Sequence, residues 1–504
     1  MNGKGLNTEH VLNIDERPSV FDSFNSKDVL FSVLSIFFAF FTLKMTFSKA
    51  GGVWVSVLTV IFCLSIYTYA KAKKITISKN SYMYLVYNLL LGLSFSIFEN
   101  KTFLGVNLIF LVLSCCYWVI TLGDARVTKS LDSHVIYDLM KGIFERPFEN
   151  IRETFAANPL VRVNKKNKNL MYVMIGLLVS LPVLVVVISL LSSADDLFAT
   201  WVVKFINGAI ENFAENSLLF LFSLPLGYFL FLYVYRNMVT PKVSKESIAI
   251  SKGPNIVFIT ILTVFILTYL IFFATTIIGF IEFQKEKMTP NTISSYARTG
   301  FFQLVKVSMI NVVIFIAVKL FGDEEHKIIK TLLSIIGLET LGLIFIGFSK
   351  MQLYVSKFGL TLMRFNTSIF MVVLFLCVCF FIAGLWIDYN YTKFSILVMA
   401  MSVLGISFFN TGQYIANYNY KKYQAGELKN IDVSMFNSLG ADAIPVAMEI
   451  YDTTTDYMVR DDLEEYFNNM KTDIEDTSKN TINYSRINGM NLIEDFKEAQ
   501  QHDS

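Results

Sequence analysis

Residues 255–281 read NIVFITILTVFILTYLIFFATTIIGFI, a run without a single acidic or basic side chain. About 20 apolar residues suffice to cross the hydrocarbon of a bilayer as a helix. This run is longer, so it is expected to tilt or to extend past the headgroups. In hydrocarbon every backbone N–H and C=O must find its partner within the segment, which leaves an isolated run only the helix. Working outward on the same criterion, spans are expected at 29–48, 53–70, 82–98, 103–122, 169–192, 217–235, 302–320, 327–348, 367–386 and 394–413. With the first run these make about eleven. The third is short. The expected fold class is all-α: a polytopic transmembrane helix bundle with a small, mainly helical or partly disordered C-terminal tail.

Composition agrees. Of 504 residues 54% are hydrophobic and 17% charged, against about 25% charged in a globular soluble domain. So little polar surface cannot cover so large an apolar core, so lipid must serve as part of the solvent. The formal charge of +2 is too small for a nucleic-acid partner, and none is expected. The five cysteines, at 63, 115, 116, 377 and 379, all fall inside apolar segments, and the four histidines are dispersed outside the spans. No disulfide framework, metal site or cofactor is expected from that pattern. Residues 1–26 are polar and lack the apolar core of a cleavable signal peptide.

The charges are distributed unevenly. Loops 71–81, 123–168 and 236–253 are rich in lysine and arginine, whereas 49–52, 99–102 and 193–216 are poor in them. Basic loops stay in the cytoplasm, so the N-terminus is expected inside. An odd span count then puts the tail outside, although 349–366 on that side carries Lys350, Lys357 and Arg364. The chain divides into a polar N-terminus (1–28), a four-span region (29–122), a basic loop (123–168), about seven further spans (169–413) and a soluble tail (414–504). Amphipathic helices lying in the interface are expected at 134–148 and 196–213. The first has Asp138, Lys141 and Glu145 opposite its apolar face. In the tail, 432–451 and 456–471 carry helical periodicity, and the last twenty or so residues have a composition compatible with disorder.

Four stretches support a resemblance. They are Ser192-Ser193-Ala194-Asp195-Asp196-Leu197-Phe198, Ser295-Tyr296-Ala297-Arg298-Thr299-Gly300, Tyr354-Val355-Ser356-Lys357-Phe358-Gly359 with Arg364, and Ile415-Ala416-Asn417-Tyr418-Asn419 followed by Leu439-Gly440-Ala441-Asp442. In this order they resemble a family of uncharacterised bacterial membrane proteins, domain of unknown function 4173, related to 4153. The resemblance covers roughly residues 170–450. It implies a multi-pass protein of the bacterial cell membrane and no particular activity.

Ionisable groups in hydrocarbon cost several kcal/mol unless paired or hydrated, which makes them functional candidates. Glu339 sits near the middle of span 327–348, one turn from Gly342. It is either a proton or cation site or a hydrogen-bonded fastening between helices. Lys306, with Gln303 beside it and Asn311 further on, either joins Glu339 in a polar pathway or snorkels to the headgroups. Asn88 and Asn107 read as interhelical hydrogen bonds. Asp195 and Asp196 either bind a cation, act as acid and base on an external substrate, or simply sit on an outer face. Arg298 and Arg364 suit phosphate or carboxylate partners, lipid headgroups among them. No phosphate-binding loop, HExxH or GxSxG occurs, which argues against ATP-driven transport and zinc proteolysis. Three classes remain. The first is a transporter or permease working through Glu339. The second is a non-catalytic sensor, assembly or envelope-stress protein whose tail and interfacial helices bind protein partners, and the third an enzyme on lipid-linked substrates working through Asp195, Arg298 and Arg364. Membrane lipids are the expected surroundings in each case.

Overall fold

A computed structural model describes residues 24–503 apart from 102, 129, 150, most of 152–185, 211–213, 240–251, 284–289, 324–325, 429 and 478–479. For 205–210, 214–215, 279–283, 290–300 and 500–503 the backbone alone is described. Within these residues the apolar runs form α1 (Ser26–Phe47), α2 (Val53–Ala72), α3 (Lys79–Ser94) and α4 (Leu104–Leu122). After α5 (Val135–Met140) and α6 (Asp196–Ile210) come α7 (Ala214–Met238), α8 (Asn255–Phe283), α9 (Pro290–Phe321), α10 (Lys327–Phe358), α11 (Leu362–Trp386) and α12 (Tyr391–Ser407). Among the described residues eight helices (α1, α2, α4 and α7 to α11) are long and apolar enough to cross a membrane.

Two expected spans differ from the reading. The third is a helix of 16 residues, about 24 Å long and so shorter than the hydrocarbon core. The last, 394–413, is broken: α12 stops at Ser407 and α13 (Thr411–Gln424) leaves at 72°. The cause is local. Asn410 accepts from the Gln413 N–H at 2.9 Å and starts a new helix, because its side chain supplies the acceptor that a first-turn N–H lacks. If the bent pair counts as one span, the described total is nine. Most of the expected fifth span, 169–192, lies outside the described residues.

The helices form two packed groups. In the first, α1 lies along α7, and Gly227 is the residue that permits it, since a Cβ there would run into the backbone of Ser35 and Ile36. Phe31 stacks on Tyr69 at 4.2 Å between ring centroids. Asp28, fully buried, opens α1 within a capping box with Asn25 and accepts from the Tyr69 hydroxyl at 2.5 Å and from Lys73 at 2.8 Å. Burying that carboxylate is tolerable because it is paired and hydrogen-bonded. In the second group, α8, α9, α10 and α11 share a core through Leu262, Phe301, Phe315 and Phe381. The rings of the last two stack at 4.3 Å. α12 links the groups, with Tyr87 of α3 donating to the Ala400 carbonyl at 3.1 Å.

Contacts between connections sort the ends of the helices. At one end lie Asn25 and the Lys73–Asp28 pair, together with Arg146, which donates to Asn237 at 2.9 Å and to the Ala125 carbonyl. Asn390 joins them by donating to the Leu131 carbonyl at 2.8 Å. At the other end lie the turns after α1, α3 and α10, and upon them sits the tail. It comprises α13, α14 (Ser434–Leu439), α15 (Ile444–Thr453), α16 (Tyr457–Thr477) and α17 (Tyr484–Asp503). Its core of Phe436, Leu463, Tyr466, Phe467 and Ile493 is continuous with that of α8 to α11. Two short strands seal the junction, Gly51 and Gly52 (β1) pairing in parallel with Thr481 and Ile482 (β2).

Two local readings are corrected here. Tyr484–Asp503 are helical, because Arg486 and Ile493 of α17 are buried and hold it in place. In α5, Asp138 does not face outward: it is buried and accepts from the Val127 N–H at 3.0 Å. Ile136, Met140 and Phe144 are exposed, while Leu139 and Ile143 pack against the core of the first group, so one edge of the apolar stripe holds the bundle and the other faces away from it, as suits a helix lying in an interface. α6 likewise exposes Leu197 and Trp201.

Candidate functional site

The α8–α9–α10 interface encloses the polar groups of greatest chemical interest. Glu339 lies twelve residues into α10, about 18 Å along its axis at 1.5 Å per residue. It is 8% exposed, and neither carboxyl oxygen has a hydrogen-bond partner in the described structure. Its neighbour Thr340 is fully buried and donates to the Ile336 carbonyl at 2.6 Å. Thr340 Oγ1 in turn accepts from Asn311 Nδ2 of α9 at 2.8 Å, and Asn311 Oδ1 accepts from the Tyr269 hydroxyl of α8 at 2.5 Å. Three helices are thus stitched by one hydrogen-bonded chain, with an unpartnered carboxyl beside it.

Glycines let the helices close around this chain. Gly342 is one turn beyond Glu339 and so shares its face, and a Cβ at Gly342 would come within 3.0 Å of the Phe273 ring of α8. Phe273 is one turn past Tyr269, which places the Glu339 face of α10 toward the Tyr269 region of α8. Gly337 makes room for Ile382 of α11, where a Cβ would lie at 2.6 Å. Small residues at such contacts are what allow membrane helices to pack without a hydrophobic driving force.

The other candidates are placed as follows. Asn311 joins Glu339's surroundings, whereas Lys306 and Gln303 are exposed on α9 and the Lys306–Glu339 pair does not form. Asp195 caps α6, its Oδ1 accepting from the N–H groups of Leu197 at 2.7 Å and Phe198 at 2.9 Å, while Asp196 is the exposed first residue of that helix. Arg364 donates to the carbonyls of Phe358 at 2.9 Å and Gly359 at 2.5 Å and covers the Tyr354 ring at 4.1 Å. It closes the end of α10, where such carbonyls lack helical partners. Arg298 lies on α9, with its side chain outside the described residues. Asn88 of α3 accepts from Ser114 of α4, the expected interhelical bond. Asn107 is buried with its carbonyl oxygen unpartnered in the described structure.

Sequence reading missed Tyr269 and Thr340, since a hydroxyl in an apolar run gives no local signal. It also missed the clasp between tail and bundle. Glu99, in the turn after α3, accepts from Arg486 at 2.7 Å and from the Ala441 N–H at 2.9 Å. Asp442 accepts from the N–H groups of Glu99 at 3.3 Å and Asn100 at 3.2 Å. Arg486 also holds Asp473 at 2.8 Å. Burial pushes the Asp442 carboxyl above the ordinary aspartate range, against the pull of Ser485 and of those two N–H groups.

A family model described as a domain of unknown function (DUF4153) matches residues 85–450, well over half of the chain. The match begins inside α3, upstream of the 170–450 region in which the motifs lie. No curated protein and no solved structure matches the chain. Glu339, its hydrogen-bonded neighbours, Glu99 and Asp442 fall inside the matched region, and Asp473 and Arg486 beyond it.

Proposed function

The chain belongs to the DUF4153 family of integral membrane proteins of unknown function, and on that premise we propose that it is a proton-coupled membrane transporter in which Glu339 takes up and releases the coupling proton. The observation that carries this reading is the buried, unpartnered carboxyl beside the Tyr269–Asn311–Thr340 chain. An uncompensated carboxylate in hydrocarbon costs several kcal/mol, a cost removed by a proton or by a bound cation. A metal or alkali cation needs several oxygens around it. Here the Asn311 and Thr340 oxygens already accept hydrogen bonds, so a proton suits the site better. In this reading the Asn25 end, where the basic loops gather, faces the cytoplasm, and the tail lies on the opposite face of the cell membrane. Kinship with the 4173 family is part of the same proposal.

The test is proton entry into liposomes. Reconstituted protein, with a pH dye trapped inside and an inward-directed potential set by potassium and valinomycin, is expected to acidify the lumen. Glu339→Gln is expected to reduce that rate to the level of empty liposomes, and Glu339→Asp to retain part of it. Equal rates for wild type and Glu339→Gln would remove Glu339 from the mechanism. A second reading, a sensor or assembly protein acting through its tail, draws on the Glu99–Arg486 clasp. It predicts that Glu339→Gln is without effect and that loss of residues 430–504 is decisive.

A further inference from the structure

A cavity of about 360 Å³ opens where the tail meets the membrane helices, a volume within the range of about 300–1,000 Å³ usual for small-molecule sites. Its walls come from distant parts of the chain: Phe98 before α4, Asn410 and Gln413 at the start of α13, Asp442, and Tyr484 and Asn488 at the start of α17. No lysine, arginine or histidine lines it, so it has no chemistry for an anion. Its one carboxyl, Asp442, is 2% exposed and already accepts from two backbone N–H groups and bonds Ser485. That leaves it little capacity to recruit a cation.

What remains is neutral and specific. Asn410 spends its amide on Gln413, donating to Gln413 Oε1 at 3.1 Å, which leaves the Gln413 NH2 to donate and the Asn488 amide to donate and accept toward a ligand, the pattern that matches neighbouring hydroxyl groups. Phe98 and Tyr484 add aromatic rings, and Tyr484 is 62% exposed at the mouth, although its ring gains nothing from water. Amides for hydroxyls and rings for an apolar C–H face are together the recognition chemistry of a sugar. We propose that this cavity binds one neutral sugar ring, either free or as the headgroup of a glycolipid. The site stands apart from Glu339, and its test does not depend on transport.

The experiment uses the full chain in phosphatidylcholine nanodiscs, since an alkyl glycoside detergent would itself present a sugar. Saturation transfer from protein to ligand is read by NMR for methyl β-glucoside, octyl β-glucoside below its micelle concentration, choline and acetate. Transfer to the glucoside ring protons is expected, with several-fold loss in Tyr484→Ala and in Gln413→Ala. Both side chains are exposed, so the melting temperature should hold. A much stronger signal for the octyl than for the methyl glucoside identifies a lipid headgroup, and equal signals a free sugar. No transfer to either glucoside, transfer indifferent to both variants, or stronger transfer to choline or acetate overturns the proposal.

Discussion

At the scale of the residue, two buried carboxyls show how environment assigns a task. Asp442 lies outside the membrane spans and is satisfied by backbone N–H groups, yet burial still raises its affinity for a proton. A carboxyl whose folded pKa is raised lends stability that is complete below its unfolded value, about pH 4. That stability is lost as pH rises through the folded value. The melting temperature of wild type relative to Asp442→Asn is therefore expected to fall as pH is raised from about 4 toward neutral, measured in nanodiscs. A difference independent of pH would mean that Asp442 titrates alike in both states. The Glu99–Arg486 pair is nearly as buried, with side chains 7% and 6% exposed. Removing one member of a buried pair costs about 3–5 kcal/mol when the other is left without compensation, and Lys101 at 3.5 Å from Glu99 offsets part of that loss here. Arg486→Ala should accordingly expose the 425–480 stretch to protease, while the double variant with Glu99→Gln recovers part of the protection. Glu339 was legible in the sequence because a charge in an apolar run stands out. Its neighbours Tyr269 and Thr340 were silent, because three helices must meet before those hydroxyls join Asn311 in one chain.

At the scale of the element, sequence period was a good guide where lipid imposes length and a poor one at ends. The run 255–281 became one helix of 29 residues, Asn255–Phe283. The run 394–413 did not survive, since Asn410 diverts the chain toward a polar helix bearing Lys421 and Lys422. A cap of that kind competes locally with continuation of the span, and composition averaged over twenty residues hides it. The β1–β2 pair was equally hidden, resting on two glycines and a threonine-isoleucine step far away in sequence. Gly52 adopts φ 62°, and a Cβ there would collide with the Ile482 carbonyl. Gly52→Ala is thus expected to break the ladder and loosen the tail by about 1–3 kcal/mol. Faster amide exchange at 480–484 would report it, with proton entry through the liposome assay unchanged. Unaltered exchange would show that β1 does not hold the tail.

At the scale of the whole molecule, the bundle has one end that holds Lys73, Arg146 and Arg236 and another that carries a folded tail clasped by Glu99, Asp442 and Arg486. The lysines and arginine of 349–366 weighed against an outer tail in sequence alone. Arg364 is in fact engaged with helix-end carbonyls and the Tyr354 ring, so part of that charge is used in packing. A transporter also requires that its central group be reached from each face in turn. That is the account's central claim, and chemical access to position 339 tests it most directly. In a chain freed of its five cysteines, Glu339→Cys would be treated with an impermeant thiol reagent in right-side-out and in inverted vesicles. Ser434→Cys serves as the marker of the tail side. Labelling of position 339 from both faces, with Ser434→Cys labelled only in right-side-out vesicles, is the result expected. Protection of position 339 from both faces would make Glu339 a sealed fastening between helices and contradict the account.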